Sequence, residues 1–333
     1  MTTLKNDIKI KWDPTIPISC LQFSKAPSSD ILAVGSYNGS VSIFKINKHT
    51  DNYTEIHTFY HSNHVLSLCF DGDTGLFTGD SKGIIKYTSF KTMMTTFFGK
   101  HESGLGISRI CIISSLQKLF TGSYDGYLNV WSIPDKSLIM SIDVKEKIFA
   151  MDISKDIIVV GTCRQNLYTY DINNLNDSPT VRHDVTRFQI RDLKILKDSS
   201  TIVISTVEGR VAVEPLHDNE ENKDTKYAFK CHRKKDKGKE FVFPVNAIAS
   251  HPHELAFTTG GSDRSIFTWN PIKRKRISQY HEQPDSVQCL DYNYSGDLLA
   301  IGCTYLNELE EKPLDNCCAV IVKGINSEEF ASK

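Results

Sequence analysis

The run Lys118-Leu119-Phe120-Thr121-Gly122-Ser123-Tyr124-Asp125-Gly126-Tyr127-Leu128-Asn129-Val130-Trp131-Ser132-Ile133 decides how the rest of the chain is read. Apolar and polar residues alternate on both sides of Ser123-Tyr124-Asp125-Gly126, which gives two strands around a tight turn. Asp and Gly are the residues such a turn needs, because the side chain of one caps the bend and the other accepts a positive φ. A third strand of the same kind, ISRICII (107–113), precedes the pair. Helical spacing of 3.6 residues is hard to find anywhere in the chain. A unit this small cannot bury its apolar faces alone, so copies of it should follow.

They do, on both sides. ISCLQFS (18–24) leads to ILAVGSYNGSVSIFKI (31–46), and VLSLCFD (65–71) to GLFTGDSKGIIKYTSF (75–90). Beyond the central unit come IFAMDIS (148–154) with IIVVGTCRQNLYTYDI (157–172), and IRDLKIL (190–196) with TIVISTVEGRVAVEPL (201–216). VNAIASH (245–251) with LAFTTGGSDRSIFTWNP (255–271), and VQCLDYN (287–293) with LLAIGCTYLNELEEK (298–312), complete the set. A small residue recurs at Gly35, Gly79, Gly122, Gly161, Ser205, Gly260 and Gly302, about 40 to 45 residues apart except for one longer step. Nine residues beyond each anchor stand Phe44, Thr88, Trp131, Tyr170, Glu214, Trp269 and Glu311, mostly aromatic. This is the WD40 pattern, carried by period and register more than by a Trp-Asp dipeptide, which is degenerate here. The predicted fold is all-β: one seven-bladed propeller over residues 1–333, with blades near 16–60, 61–103, 104–145, 146–186, 187–240, 241–283 and 284–325. The seventh blade lacks a strand, which residues 4–12 (LKNDIKIKW) are expected to supply, joining the N-terminal strand to the C-terminal one and leaving no open sheet edge. Two segments break the rhythm: polar 217–226 (HDNEENKDTK) and basic 233–240 (RKKDKGKE), both predicted as solvated loops. KYAFKCHR (226–233) between them is predicted as the fourth strand of blade five.

Thirty-nine Lys and Arg against 40 Asp and Glu give a net charge of −1, so any charge-driven recognition must be local. The runs Lys273 to Arg276 and Arg233 to Lys239 read as solvated loops, with nucleic-acid contact the minority alternative. Nine cysteines include no C-x-x-C pair and sit mostly in apolar runs, as buried reduced thiols do. The N-terminus has no signal-peptide pattern, and no apolar run reaches membrane-spanning length. These features predict an intracellular, soluble protein with no membrane partner. The N-x-[ST] matches at Asn38, Asn52, Asn176 and Asn293 then carry no meaning.

Catalytic signatures are missing: there is no phosphate-binding glycine loop, dinucleotide fingerprint or nucleophile elbow. His101-Glu102 and His281-Glu282 lack the second His of a zincin, and Cys231-His232 and Cys317-Cys318 lack partners at metal-ligand spacing. Asp71-Gly72-Asp73-Thr74-Gly75 resembles a calcium loop but falls where repeat two needs a turn. The expectation is a binding module: no enzyme, no cofactor, no metal.

In a propeller, the turn between the second and third strands of a blade shares a face with the crossover to the next blade. Arg210 follows that turn in blade five, Lys230 ends its fourth strand, and Arg191 opens its first. These three cations are predicted on one rim, with Tyr37 and Tyr124 in the equivalent turns of blades one and three. The plainer readings are solvated charges or pairs with Glu208 or Glu214 for Arg210 and Lys230, a bridge to Asp192 for Arg191, and turn packing for the tyrosines. Together the five suit an acidic or phosphorylated extended peptide: a planar fork, a point charge and aromatic faces.

VEGRVAVEPL (207–216), KYAFKCHR (226–233), FPVNAIASHP (243–252) and TTGGSD (258–263) resemble the spindle-assembly-checkpoint propeller family and its sister, the mRNA-export propellers of the nuclear pore. The likeness holds its register along the chain and is clearest from FQIRDL (188–193) onward; GRVAVE and FPVNAI are more similar to the checkpoint branch. The resemblance implies a non-catalytic mitotic adaptor of nucleus, kinetochore and cytoplasm that delays anaphase. The implied partners are a checkpoint kinase and its inactive paralogue, bound through a short motif, and a kinetochore scaffold with phosphorylated Met-Glu-Leu-Thr repeats. Ubiquitin or anaphase-promoting-complex machinery is a further partner class. By motif, Arg210 and Lys230 would meet the phosphate and Tyr124 the peptide, while Arg191, Arg210 and Tyr37 would hold the partner motif. The family more often has Trp in the SYNG and SYDG turns; Tyr is aromatic but smaller. The export branch, the alternative, would bind a nucleoporin motif and RNA.

Overall fold

Seven hydrophobic clusters hold the protein together, and each lies between two consecutive blades rather than inside one. In this computed structural model, residues 4, 6–27, 29–217, 225–280, 283–305, 318–326 and 328–331 are described. Seven antiparallel four-stranded sheets follow one another, six of them in chain order from strand a at the axis to strand d outside. The first, for example, is Ile18–Phe23, Ile31–Ser36, Ser40–Asn47 and Asn52–Tyr60. The seventh sheet combines Val287–Tyr292, Leu298–Cys303 and Ala319–Gly324 with the N-terminal strand Ile8–Ile10. Ile8 pairs with Val322 and Ile10 with Val320, so the ring closes as the sequence predicted. Ile8 and Ile10 bury their side chains in the cluster shared by blades seven and one.

The recurring glycines have a packing cause. A Cβ built on Gly79 would lie 2.9 Å from Ile107, and one on Gly122 would lie 2.8 Å from Ile148, in each case the first residue of the next blade's strand a. Blade-to-blade contact at this height leaves no room for a side chain. Polar seams run beside it. Asp291 accepts from the Phe23 N–H at 2.8 Å, Asp152 from Ile195 at 2.8 Å and Asp192 from Ile248 at 2.9 Å, linking strand a of one blade to strand a of the next.

Three blades carry a buried His–Thr–Asp array. His101 bonds Thr121 at 2.8 Å and Asp125 at 3.1 Å, and Trp131 donates to Thr121 at 2.9 Å. His232, Thr259, Asp263 and Trp269 repeat the arrangement, and His61, Thr78 and Asp80 repeat it without the indole. Each histidine comes from the crossover that follows strand d and binds groups of the next blade, so the array stitches neighbours together. At His101 and His232 the sequence shows only the lack of metal-ligand partners at the right spacing, which does not reveal this role.

The basic segment at 233–240 is not a loop. Arg233–Asp236 and Lys239–Val242 pair as a two-stranded hairpin inside the crossover from blade five to blade six. Lys237 and Gly238 at its tip both have positive φ, 46° and 79°, which gives the twist that a two-residue hairpin turn requires. Its charged strands lack the alternation that normally announces a strand, and its base holds it instead: Phe243 N–H donates to the His232 carbonyl at 3.1 Å, and Arg233 reaches Glu240 at 3.1 Å. Strand d of blade five is shorter than expected, Tyr227–Lys230. At Asp71–Gly75 the Asp71 carboxylate accepts from the Thr74 hydroxyl at 2.9 Å, closing a turn rather than facing a cation. Most of the 217–226 segment (218–224), His281-Glu282, Glu311 and Cys317 lie outside the described residues.

Candidate functional site

Blade five is built from Ile190–Ile195, Thr201–Thr206, Arg210–Pro215 and Tyr227–Lys230. Val207 donates to the Gln189 carbonyl at 3.1 Å and Cys231 to the Gly209 carbonyl at 3.0 Å, so the b–c turn and both crossovers meet on one face. Gly209 is needed there: its φ is +58°, and a Cβ would lie 2.7 Å from the Cys231 carbonyl.

Arg210 and Lys230 are direct cross-strand partners. Residues opposed in this way project from the same side of a sheet, with Cα atoms about 4.5–5.5 Å apart. Their side follows from their neighbours. Ala212, two residues along, packs in the cluster shared with blade four, whereas Val211 and Val213 pack towards blade six. Both cations therefore stand at the rim of the cleft between blades four and five. Lys230 is exposed and has no ion-pair partner among the described residues. Arg210 Nε donates to Glu208 at 3.1 Å, and its side chain keeps about a third of its surface. Glu208 also receives Arg233, at 3.5 Å on the carboxylate and 3.0 Å on its carbonyl. Two arginines thus share one carboxylate with Lys230 beside Arg210 across the strand pair, a local positive excess on a chain with almost no net charge.

Arg191 does not join them. It lines the mouth of the central channel, a cavity of about 980 Å³, and donates to the Asn246 side chain at 3.0 Å. Asp192, its alternative partner, is instead held by Arg109 from blade three at 3.1 Å. Burial pulls the Arg109 guanidinium's pKa down, but the Asp192 carboxylate outweighs this and raises it. Tyr37 and Tyr124 line the same mouth. Tyr124 meets Phe149 edge-on at 5.8 Å, and Tyr37 meets His64 at 6.1 Å. Burial and then the Tyr124 hydroxyl push the Tyr37 phenol above its ordinary range, while Arg191 pulls it down, so the three groups share one electrostatic environment. The face therefore has two centres: an aromatic and cationic mouth on the axis (Tyr37, Tyr124, Arg191), and a cation pair on the rim (Arg210, Lys230). Arg109, Asn246 and Phe149 are not singled out from sequence, and Arg233 stands there only as the start of a basic run; a lone Arg within the apolar ISRICII is the available signal for the first.

Cys20, Cys69, Cys111 and Cys289 also line the channel. Burial pushes the Cys20 thiol up to about 11 and Cys69 to about 12, so both stay protonated and poorly nucleophilic at neutral pH. Among the described residues no group of three or more His, Cys, Asp or Glu could hold a metal ion, and no helix is long and apolar enough to cross a membrane.

The family model "WD domain, G-beta repeat" matches residues 92–132, the stretch that includes most of the deciding run. The "Mitotic checkpoint protein bub-3" of Caenorhabditis elegans is 32% identical over 93% of this chain and 92% of its own length. The chain belongs to this mitotic checkpoint family. The "Poly(A)+ RNA export protein" of Schizosaccharomyces pombe is also similar, at 26% identity over 91% of this chain and 85% of its own length. The solved structure of U3-55K superposes with a TM-score of 0.80 across 97% of this chain and all of its own at 17% identity, a likeness of fold alone. The propellers of the checkpoint family are typically non-catalytic adaptors.

Proposed function

We propose that this protein is a non-catalytic adaptor of the spindle assembly checkpoint whose b–c face binds peptides at both centres. The rim pair receives a phosphothreonine of the Met-Glu-Leu-Thr type on a kinetochore scaffold. The axial mouth receives a short motif of a checkpoint kinase or its inactive paralogue, with Arg191 on a partner glutamate and Tyr37 and Tyr124 on apolar side chains. The observation that carries the reading is the cross-strand pairing of Arg210 with Lys230. Two cations on directly opposed residues can hold a dianion from two directions, with Arg supplying the planar fork and Lys the point charge. Nucleus and kinetochore are the places where such an adaptor would work. Titration with a Met-Glu-Leu-Thr peptide, with and without phosphate on the Thr, tests the proposal. Binding that requires the phosphate supports it; equal binding of the two forms, or none, overturns it. Similarity to the export protein keeps a second reading open, a nucleoporin motif with RNA on the same face. A net charge of −1 gives RNA little general attraction, and co-purification of a nucleoporin rather than a checkpoint kinase would favour that branch.

A further inference from the structure

The hairpin at Arg233–Val242 has no counterpart in the other six crossovers among the described residues, and nothing in the ring's packing requires its outer half. Its inner half is committed: Arg233 to Glu208 and Glu240, Lys234 to the Asp263 carbonyl at 2.7 Å, and Val242 against the Gly209 turn. The outer half is free. Lys235, Lys237 and Lys239 surround the tip, exposed and without an ion-pair partner among the described residues, with Lys235 opposed to Glu240 on one side of the hairpin and Lys239 opposed to Asp236 on the other. Phe241, on the same side as Lys239, is 45% exposed. Arg210 and Arg233 share Glu208, and Lys235 lies two strand residues beyond Arg233 on the same side of the hairpin, so the rim pair and the hairpin are continuous.

We propose that the hairpin is a second docking element that reads an acidic segment flanking the phosphothreonine in the same partner chain. The segment crosses the tip, so that lysines on both sides of the hairpin meet its carboxylates, and Phe241 on the Lys239 side offers an apolar contact to a side chain among them. Charge complementarity and continuity with the rim pair carry the argument. The interleaved Asp236 and Glu240 would repel a phosphodiester backbone more evenly than they would a peptide, whose carboxylates can be spaced to avoid them. Rim charges of this kind act chiefly by steering and by register. The inference rests on the phosphopeptide reading for its location, and the test separates the two.

Three fluorescein-labelled peptides serve as probes, each with Met-Glu-Leu-phosphothreonine: one followed by a six-residue Asp/Glu tract containing one Phe, one preceded by it, and one carrying Gly-Ser on both sides. Fluorescence anisotropy is read at low salt and in 0.3 M salt. The preferred acidic peptide should bind more tightly than the Gly-Ser peptide. The triple variant Lys235→Gln, Lys237→Gln, Lys239→Gln should weaken it by about tenfold while leaving the Gly-Ser peptide within about twofold. Phe241→Ser should weaken only the acidic peptides. These are surface substitutions, and an unchanged thermal melt confirms that the fold is intact. Equal affinity of all three peptides, or an equal loss on the acidic and neutral probes in the triple variant, overturns the proposal. So does displacement of the acidic peptide by an equimolar single-stranded RNA, which would assign the hairpin to nucleic acid. If the phosphate is dispensable but the lysine-dependent acidic preference persists, the rim-pair reading fails and the hairpin stands. If phosphate dependence persists and the preference vanishes, the hairpin reading alone falls.

Discussion

Two substitutions at one ion pair should push phosphopeptide affinity in opposite directions. Arg210 contributes its Nε to Glu208 at 3.1 Å, so the pair could be no more than a surface salt bridge. If it were, Arg210→Ala and Glu208→Gln would break the same contact and act alike, each by about 0–1 kcal/mol of stability. If Arg210 instead holds phosphate, the outcomes diverge. Arg210→Ala removes a charge-assisted hydrogen bond worth roughly 1.5–3 kcal/mol, a loss of one to two orders of magnitude in Kd. Glu208→Gln removes a negative charge that would sit about 6 Å from a bound dianion. Their repulsion is about 1.4 kcal/mol in water and about half that in physiological salt, so affinity should rise about threefold. Anisotropy titration of a Met-Glu-Leu-phosphothreonine peptide against wild type and both variants reads the two effects. Lys230→Ala provides the check on geometry: opposed across the strand pair, it should lose affinity as Arg210→Ala does, and the double variant should lose less than the sum, because both cations serve one phosphate. Weaker binding in both Arg210→Ala and Glu208→Gln would refute the reasoning and return Arg210 to a structural role.

Two further predictions concern the ring. Burial pushes the Asp125 carboxyl up, but hydrogen bonds from His101, Ser103 and the Tyr127 N–H outweigh this and hold it down to about 2. A carboxylate depressed in the folded state stabilises above its unfolded pKa and loses that contribution as pH falls through the folded one, so about 2 kcal/mol should drain away between roughly pH 5 and pH 2. Urea melts at pH 6 and pH 3 should show a smaller pH effect in Asp125→Asn; an unchanged slope would remove Asp125 from the account. Deleting residues 1–12 strips Ile8 and Ile10 from the seam between blades seven and one, at roughly 1.5–3 kcal/mol each, and bares the edge of Ala319–Gly324. Spread over 333 residues, that loss should lower the melting temperature in calorimetry by about 4–9 °C; an unshifted melt would mean the ring does not depend on its closing strand.

The repeat was legible because packing writes it into the sequence at a fixed interval. Gly79 and Gly122 are small because Ile107 and Ile148 of the next blade leave no room, and the same geometry returns blade after blade. The closing strand could be read from the N-terminus for a related reason: an open sheet edge beside Ala319–Gly324 needed a short apolar-alternating partner, and only LKNDIKIKW offered one. The histidine arrays were hidden because their members lie far apart in sequence and none is part of a local motif; His232 and Asp263 are 31 residues apart. The hairpin was hidden because its strands are held at the base by Arg233 and Phe243, so their outer residues are free to be charged.

Opposed strands were enough to predict that Arg210 and Lys230 share a face, but not that Arg191 would leave them for the axis. That separation has a cause in the propeller itself. Strand a lines the channel and strands c and d form the rim, so residues of one blade that share a face still differ in radius by the width of the sheet, with neighbouring strands about 4.8 Å apart. Arg191 belongs to strand a and is taken by Asn246 of the next blade's strand a; Arg210 and Lys230 belong to c and d. A single short ligand group cannot touch all three, whereas an extended peptide crossing the face radially can. Blade five is also the one blade whose anchor is Ser205 rather than Gly, and the crossover that leaves it carries the hairpin. Ser205 spends its hydroxyl on the Asp192 N–H at 3.1 Å, and the Asp192 carboxylate in turn holds Arg109 and the Ile248 N–H. The most irregular blade is thus also tightly cross-linked at its axis, which leaves its rim free to carry two arginines on a single carboxylate and an unpaired Lys230 beside them without loosening the ring.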